Sequence, residues 1–396
     1  MKFNKWTVGL AAIGVVSLAS AARADEKMSQ LQTALSNTTI SGYVDTAASW
    51  RPGTDQNGNG GPNIPAYSFS KNDGFSLNSI DIAIDHPEDE TPWAAGYHVE
   101  LMGGADSTPA LNNSVYPETL GFSSIRQAYL ALRTPIGNSG IDWKVGVFDT
   151  IIGYESTSDP SNPNYTRSYG YTIEPTTHTG VVGTYKVNDE ISVQAGIADT
   201  WNDNFSAFGL NGTSTYETQK TYLGAVALTA PSSWGWLNGA TLNAGIINGI
   251  DSFANGNGSI TSYYAGATIP TPLTALKAGA SFDYAGGHDG LGDVWVGGLY
   301  TSYQINSNAS LNLRGEYGDG DVSGTLYASA PAGIPRNQFE EATATLQYNL
   351  WANVLSRLEV RWDHAAHGTP FGISSTSAAG IKNNDFLVAL NLIYQF

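Results

Sequence analysis

The chain has 396 residues, with 45 glycines, 21 tyrosines, 10 tryptophans and no cysteine, and charged residues make up only 13% of it. Its 18 basic and 35 acidic residues give a net charge of −17, which argues against nucleic acid as a partner because phosphate binding needs a basic surface. Without cysteine there is neither a covalent staple nor thiol chemistry, so stability must be wholly non-covalent.

The chain opens on a secretory address. Lys2 and Lys5 precede an apolar run from Val8 to Ala19, and Ala22-Arg23-Ala24 then places small residues where a signal peptidase reads. The pattern predicts a signal peptide over 1–24 cleaved before Asp25, rather than an uncleaved anchor. Cleavage removes three basic residues and no acidic one, so the mature charge becomes −20. A short periplasmic segment is expected over 25–38. After it, no stretch approaches the ~20 consecutive apolar residues of a membrane helix. In hydrocarbon every backbone polar group must be paired internally, so the remaining membrane option is a closed barrel.

From residue 39 onward the sequence alternates. A strand between lipid and a wet lumen needs an apolar side chain at every second position. Ile40, Gly42, Val44, Thr46, Ala48 and Trp50 oppose Ser41, Tyr43, Asp45 and Ser49. Ile80, Ile82 and Ile84 oppose Asp81 and Asp85, and Trp93, Ala95, Tyr97, Val99 and Leu101 oppose His98 and Glu100. Fainter segments lie near 125–133, 141–149 and 178–187, and in the first of these Arg126 falls in phase with Ala128, Leu130 and Leu132, where either a bulge or a miscounted register would put it. Ile191, Val193, Ala195 and Ile197 follow, with fainter segments near 220–230, 237–248 and 259–269. Leu276, Ala278, Ala280 and Phe282 come next, then a faint segment near 293–304, then Leu311 and Leu313 against Arg314 and Glu316. Ala342, Ala344, Leu346 and Tyr348 oppose Glu341 and Thr343. Leu358, Val360 and Trp362 alternate with Arg357, Glu359, Arg361 and Asp363. Four charges at alternate positions fit neither a helix face nor a dry sheet core. Phe386 to Phe396 closes the series.

The gaps give an independent test. Short turns near 86–89, 135–138, 188–189, 232–233, 270–272, 306–308 and 350–353 interleave with longer links near 51–73, 103–121, 150–176, 201–219, 249–258, 285–292, 318–337 and 365–383. Seven turns and eight loops join 16 strands, the even count and rhythm of an outer-membrane barrel. The expected fold is therefore all-β: a transmembrane antiparallel up-and-down β-barrel over 39–396, with short periplasmic turns and long external loops. Trp50, Trp93, Trp143, Trp362 and Tyr394 suit aromatic girdles at the two interfaces.

Strand number sets diameter, and about 16 strands enclose an aqueous channel unless something plugs it. No unassigned stretch is long enough for a plug domain. The lumen wall is expected to carry Asp81, Glu100, Lys144, Arg314, Glu316, Glu341, Arg357, Glu359 and Arg361, either as charge rings that tune ion passage or as pairs that neutralise one another and stiffen the wall. The acidic balance predicts a mild preference for cations.

Four stretches carry a resemblance. Arg126-Gln127-Ala128-Tyr129-Leu130, Gly146 to Thr150 with Gly153-Tyr154-Glu155, Asn164 to Ser168, and Pro175 to Gly180 resemble the OmpL-like β-barrel outer-membrane porin family. The resemblance spans nearly the whole mature chain and implies a pore for small hydrophilic solutes and ions, with no named substrate. Where porin strands often carry Lys after such a glycine, Val147 stands here, which speaks against a basic constriction at that point. Porins in general fold their third loop inward, which by resemblance makes 150–176 the constriction loop, carrying Glu155, Asp159, Arg167 and Glu174. An ordinary surface loop is the alternative. The terminal Phe396 resembles the signal that such barrels present to the outer-membrane assembly machinery. Membrane lipid and lipopolysaccharide are the expected surroundings, and a homotrimer is the assembly the resemblance implies.

Enzyme chemistry finds no foothold. The six histidines lack zinc spacing, and His364 with His367 beside Asp363 reads more simply as a solvated strand end. Asn255-Gly256-Asn257-Gly258 has no phosphate-binding context, and Asp319-Gly320-Asp321 lacks the downstream Glu of a calcium loop. No cofactor, metal or catalytic residue is expected. Two other readings stay open: an outer-membrane barrel enzyme, which needs a convergent His/Ser/Asp site, and a secreted or surface all-β protein binding carbohydrate through its aromatics.

Overall fold

A computed structural model describes residues 37–52, 73–107, 124–201, 220–250, 259–287, 292–321, 336–369, 371 and 382–396. The predicted signal peptide and the sequence 255–258 lie outside these residues, as does nearly all of 25–38.

Sixteen antiparallel strands form one closed ring in which each strand pairs with its sequence neighbours. They are β1 (Thr39–Trp50), β2 (Gly74–His86), β3 (Ala95–Gly103), β4 (Ser124–Thr134), β5 (Ile141–Asp149), β6 (Thr177–Lys186), β7 (Ile191–Ala198) and β8 (Thr221–Thr229). The second half comprises β9 (Thr241–Ile250), β10 (Ser259–Pro270), β11 (Leu276–Gly287), β12 (Asp293–Gln304), β13 (Ala309–Asp321), β14 (Arg336–Trp351), β15 (Val354–Ala365) and β16 (Asn384–Gln395). The alternation read from the sequence sets the orientation. Leu299, Leu313, Leu358, Val360 and Leu390 are exposed on the outer face, whereas Arg314, Glu316, Arg357, Glu359 and Arg361 point inward and are buried. A charge turned outward at mid-membrane would cost about 2–4 kcal/mol, which fixes the phase of each strand.

Closure joins β1 to β16 from Tyr43↔Gln395 to Trp50↔Val388. The seam ends on the last residue: Phe396 N–H donates to Gly42 O at 3.0 Å, and Gly42 N–H donates back to Phe396 O at 3.1 Å. A Cβ on Gly42 would meet the Asp81 carbonyl oxygen at 2.1 Å and the Phe396 ring at 2.9 Å, so only glycine admits that approach.

Two β-bulges place consecutive residues inside. In the β1–β2 ladder Asp45 pairs with Ser79 and Thr46 with Leu77, so Asn78 is the extra residue, and Asn78 and Ser79 are both buried. In the β3–β4 ladder Glu100 pairs with Gln127 and Leu101 with Ile125, so Arg126 is extra and turns inward with Gln127. The phase break at Arg126 is this bulge.

The links differ from expectation at two places. Trp93 precedes β3 rather than starting it, in a turn where it takes a φ of 66°. The 232–233 turn is longer than expected: Ser232–Leu237 coils into 3-10 turns, so β9 starts at Thr241 rather than near 237.

Candidate functional site

The link 150–176 does not lie on the surface. It crosses the lumen and bonds to the inner faces of strands far from its own roots on β5 and β6. Its backbone is irregular but for a 3-10 turn at Asp159–Ser161 and one short helix, α1 (Tyr169–Ile173), capped by the Ser168 hydroxyl accepting from the Tyr171 N–H at 3.0 Å.

Tyr154 makes the first anchor. Its ring stacks on Tyr300 of β12 at 4.1 Å between centroids, and its hydroxyl lies 3.1 Å from Thr268 Oγ1 of β10. The socket exists because Gly279 has no side chain, for a Cβ there would sit 1.8 Å from the Tyr154 hydroxyl oxygen.

Three charged wall residues make the central anchor. Glu359 accepts the Tyr165 and Thr166 amides at 2.6 and 2.9 Å and the Thr166 and Thr345 hydroxyls at 2.6 and 2.7 Å. Glu316 accepts the Tyr169 and Gly170 amides that open α1, at 2.7 and 3.0 Å. Arg314 binds Glu155 at 2.8 Å and the Thr166 carbonyl at 2.7 Å. Buried N–H groups need partners, and an irregular segment inside a barrel has no ladder of its own, so wall carboxylates supply them.

The tip reaches the far side. Asp159 accepts from Ser79 of β2 at 2.5 Å and from Arg167 at 2.8 Å, while its own N–H donates to the Tyr43 hydroxyl of β1 at 3.3 Å. Arg357 donates to the carbonyls of Asp159 and Asn162 at 3.0 and 2.5 Å, and Arg361 donates to the Arg167 carbonyl at 2.6 Å. Helix α1 packs Tyr169 and Ile173 against Ala285, Val294, Val296 and Phe339 of the wall.

The loop's charges therefore face the wall rather than the water. The side chains of Glu155, Asp159 and Arg167 are 1%, 6% and 1% exposed, and Glu174 is equally buried against β11. Asp159 beside it holds the Arg167 guanidinium firmly protonated despite the desolvation that opposes its charge. Burial pushes the Tyr171 hydroxyl up to about 12. On its partly exposed side the loop offers the hydroxyls of Tyr154, Ser156, Ser158, Ser161 and Thr172 beside Ile151, Pro160 and Pro163, and the acid among the partly exposed residues, Glu155, keeps its side chain only 1% exposed.

Each sequence-predicted wall residue points inward. Arg314, Glu316, Glu341, Arg357, Glu359 and Arg361 cluster on β13–β15, where the loop covers them. Arg314 lies 3.3 Å from Glu341 and 3.9 Å from Glu316, and Arg361 lies 3.0 Å from Asp363 and 3.7 Å from Glu341. Asp81 and Glu100 sit apart on β2 and β3, in a second network. Arg126 donates to Glu100 at 2.6 Å and to Asp149 at 2.7 Å, and Gln127 and His98 add contacts to Glu100 at 2.8 and 3.3 Å. Lys144, half-buried on β5, lies over the Tyr129 ring at 4.7 Å.

Sequence reasoning about charges missed several of these residues. Tyr154, Asn164 and Thr166 are uncharged, and Arg126 surfaced only as a break in phase. The signal that finds them is the set of stretches carrying the family resemblance. Tyr154 and Glu155, Asn164 through Ser168, and Arg126-Gln127 are all residues that pin the loop or the wall beneath it. Elsewhere, the His364 ring stacks on Trp362 and its Nδ1 lies 3.0 Å from Asn384 Oδ1. Among the described residues no group of three or more His, Asp or Glu could hold a metal ion.

A profile of the family described as "Putative beta-barrel porin-2, OmpL-like" matches residues 37–396. No curated protein matches the chain in sequence. Among solved structures the chain is similar to OmpF of Salmonella typhi in complex with daunomycin (13% identity, 92% of this chain and 99% of that one, TM-score 0.58). It is also similar to the outer-membrane channel DcaP of Acinetobacter baumannii (13%, 91% and 97%, TM-score 0.57) and to OmpT of Vibrio cholerae in its trimer form (12%, 91% and 99%, TM-score 0.55). Identities this low speak for the fold alone.

Proposed function

The chain belongs to the OmpL-like family of β-barrel porins, and we propose that it passes small hydrophilic solutes and ions by passive diffusion, with the 150–176 loop as its size-limiting element. It is an outer-membrane porin channel. The observation that carries the proposal is the loop's course, inside the ring and bonded to strands on both sides of it. Because the loop's acids and arginine are spent on the wall, its free edge offers hydroxyls, so size rather than charge governs passage there. Asp81 and Glu100 are as buried as the β13–β15 cluster, so of the predicted wall residues half-buried Lys144 is the one we assign to the water-filled side. The acidic balance of the chain concentrates cations near the mouths and supports a mild cation preference.

Planar-bilayer recording of purified, folded protein tests this. Discrete ohmic steps are expected, and liposome swelling should slow steeply with sugar size. No steps from folded protein would remove the porin reading and favour a barrel enzyme. The finer partners follow the same reading. We assign the chain a homotrimer in lipopolysaccharide-containing membrane, as the trimer form of its OmpT neighbour suggests, with Phe396 as the residue that the assembly machinery reads. Crosslinking in membranes tests the trimer, and N-terminal sequencing should begin at Asp25.

A further inference from the structure

Helix α1 is held to the barrel wall at both ends, and both holds are carboxyls. At its start Glu316 accepts two amides. At its end the buried carboxyls of Glu174 on the loop and Asp283 on β11 face one another. Two glycines make room for that pair. A Cβ on Gly153 would sit 2.6 Å from Glu174 Oε2, and one on Gly170 would sit 2.5 Å from Asp283 Oδ2.

The surroundings are acidic or neutral. Glu155 of the loop and Glu316 of β13 face the pair, with Tyr264 of β10, Tyr300 of β12 and Ser281 of β11 around them. Arg314, the cation on β13, is taken by Glu155 and Glu341. Two carboxyls hold a hydrogen bond between them only while they share a proton. Ionised together, they become like charges in contact in a desolvated site. Burial first, and the facing Asp283 next, raise the Glu174 carboxyl well above the ordinary carboxylate range. A carboxyl whose folded value is raised contributes stability below the ordinary range and loses it as pH rises through the raised value.

We propose that Glu174 and Asp283 form a proton-dependent latch, which fixes the end of α1 to the wall while they share a proton and releases it once both are charged. The proposal rests on the reading that the loop bounds a conducting lumen. Release would free the end of α1 and residues 174–176, with Glu316 still holding its start, and, through the space Gly153 leaves for Glu174, loosen the Tyr154 anchor. The narrow part of the channel would then fluctuate at alkaline pH.

The test compares wild type with Glu174→Gln, Asp283→Asn and the double variant. An amide keeps a hydrogen bond to the remaining carboxylate without a shared proton, so each single variant should stay latched at every pH. In bilayers stepped from about pH 5 to about pH 10, wild-type current should be steady at first and break into substates as pH rises. The single variants should stay steady throughout. Hydrogen-exchange protection factors of the 173–176 amides read the same event without current, and should fall at least about tenfold over that range in wild type only. Wild-type current and protection that ignore pH, or amide variants that follow wild type, overturn the latch. Protein that shows the protection change but never conducts would keep the latch and sink the porin reading.

Discussion

Glu359→Ala tests the loop's central anchor. Glu359 is fully buried and its carboxylate accepts two loop amides and two hydroxyls. The hydroxyls of Thr166 and Thr345 can turn to other acceptors, but the Tyr165 and Thr166 amides cannot. Each orphaned buried N–H costs about 1–3 kcal/mol, so the variant should weaken loop docking by about 2–6 kcal/mol. Even about 2 kcal/mol shifts the docked-to-undocked ratio roughly thirty-fold. The barrel itself should be untouched, because the backbone ladders of β15 with β14 and β16 do not use this side chain. The expected result is unchanged heat-modifiable gel migration, larger or noisier single-channel current and faster liposome swelling by large sugars. Glu359→Gln keeps one acceptor oxygen and should fall between. If Glu359→Ala folds and matches the wild-type current and size cut-off, the loop is not held as argued.

Gly279→Val would drive a side chain into the space of the Tyr154 hydroxyl, so it should expel Tyr154 and alter the size cut-off in swelling assays while strand pairing persists. Leu299→Arg puts a charge on one of the most exposed outer positions of β12, at a cost of about 2–4 kcal/mol near mid-membrane, measurable as a lower urea midpoint for refolding into lipid. Phe396→Ala keeps the backbone bonds to Gly42 but removes the ring over it, so assembled barrel should fall relative to secreted chain on heat-modifiability gels. At the Glu88 turn, burial and then Asp142 push the carboxyl up to about 7 against the opposing pull of Arg133. Its contribution to stability is present below the ordinary carboxylate range and fades as pH rises through neutral, and Glu88→Gln should remove that part of the pH dependence of refolding.

The barrel was legible because lipid imposes a rule on every second residue. Leu358, Val360 and Trp362 against Arg357, Glu359 and Arg361 admit no other phase, and 16 such segments close a ring. Where the sequence misled, local conformation overrode period. Trp93 looks in phase, but its positive φ belongs to a turn, and Trp234 and Trp236 coil into 3-10 turns that an alternation test cannot see. The site was legible in a different way. Charge alone pointed to Arg314, Arg357 and Arg361, but not to their burial under a loop. That outcome depends on backbone amides of Tyr165, Thr166, Tyr169 and Gly170, which every sequence carries. No side-chain pattern announces which amides a carboxylate will meet.

The seam between Gly42 and Phe396 bears on how the molecule is made. The piece of barrel synthesised first must find the piece synthesised last, the longest loop closure this chain offers, and such distant pairings form slowly. Until then two unpaired strand edges stand open to any passing strand. A chain built this way cannot seal itself while still being translated or exported. The ring stays open until Phe396 meets Gly42, and that pairing is the bolt that shuts it.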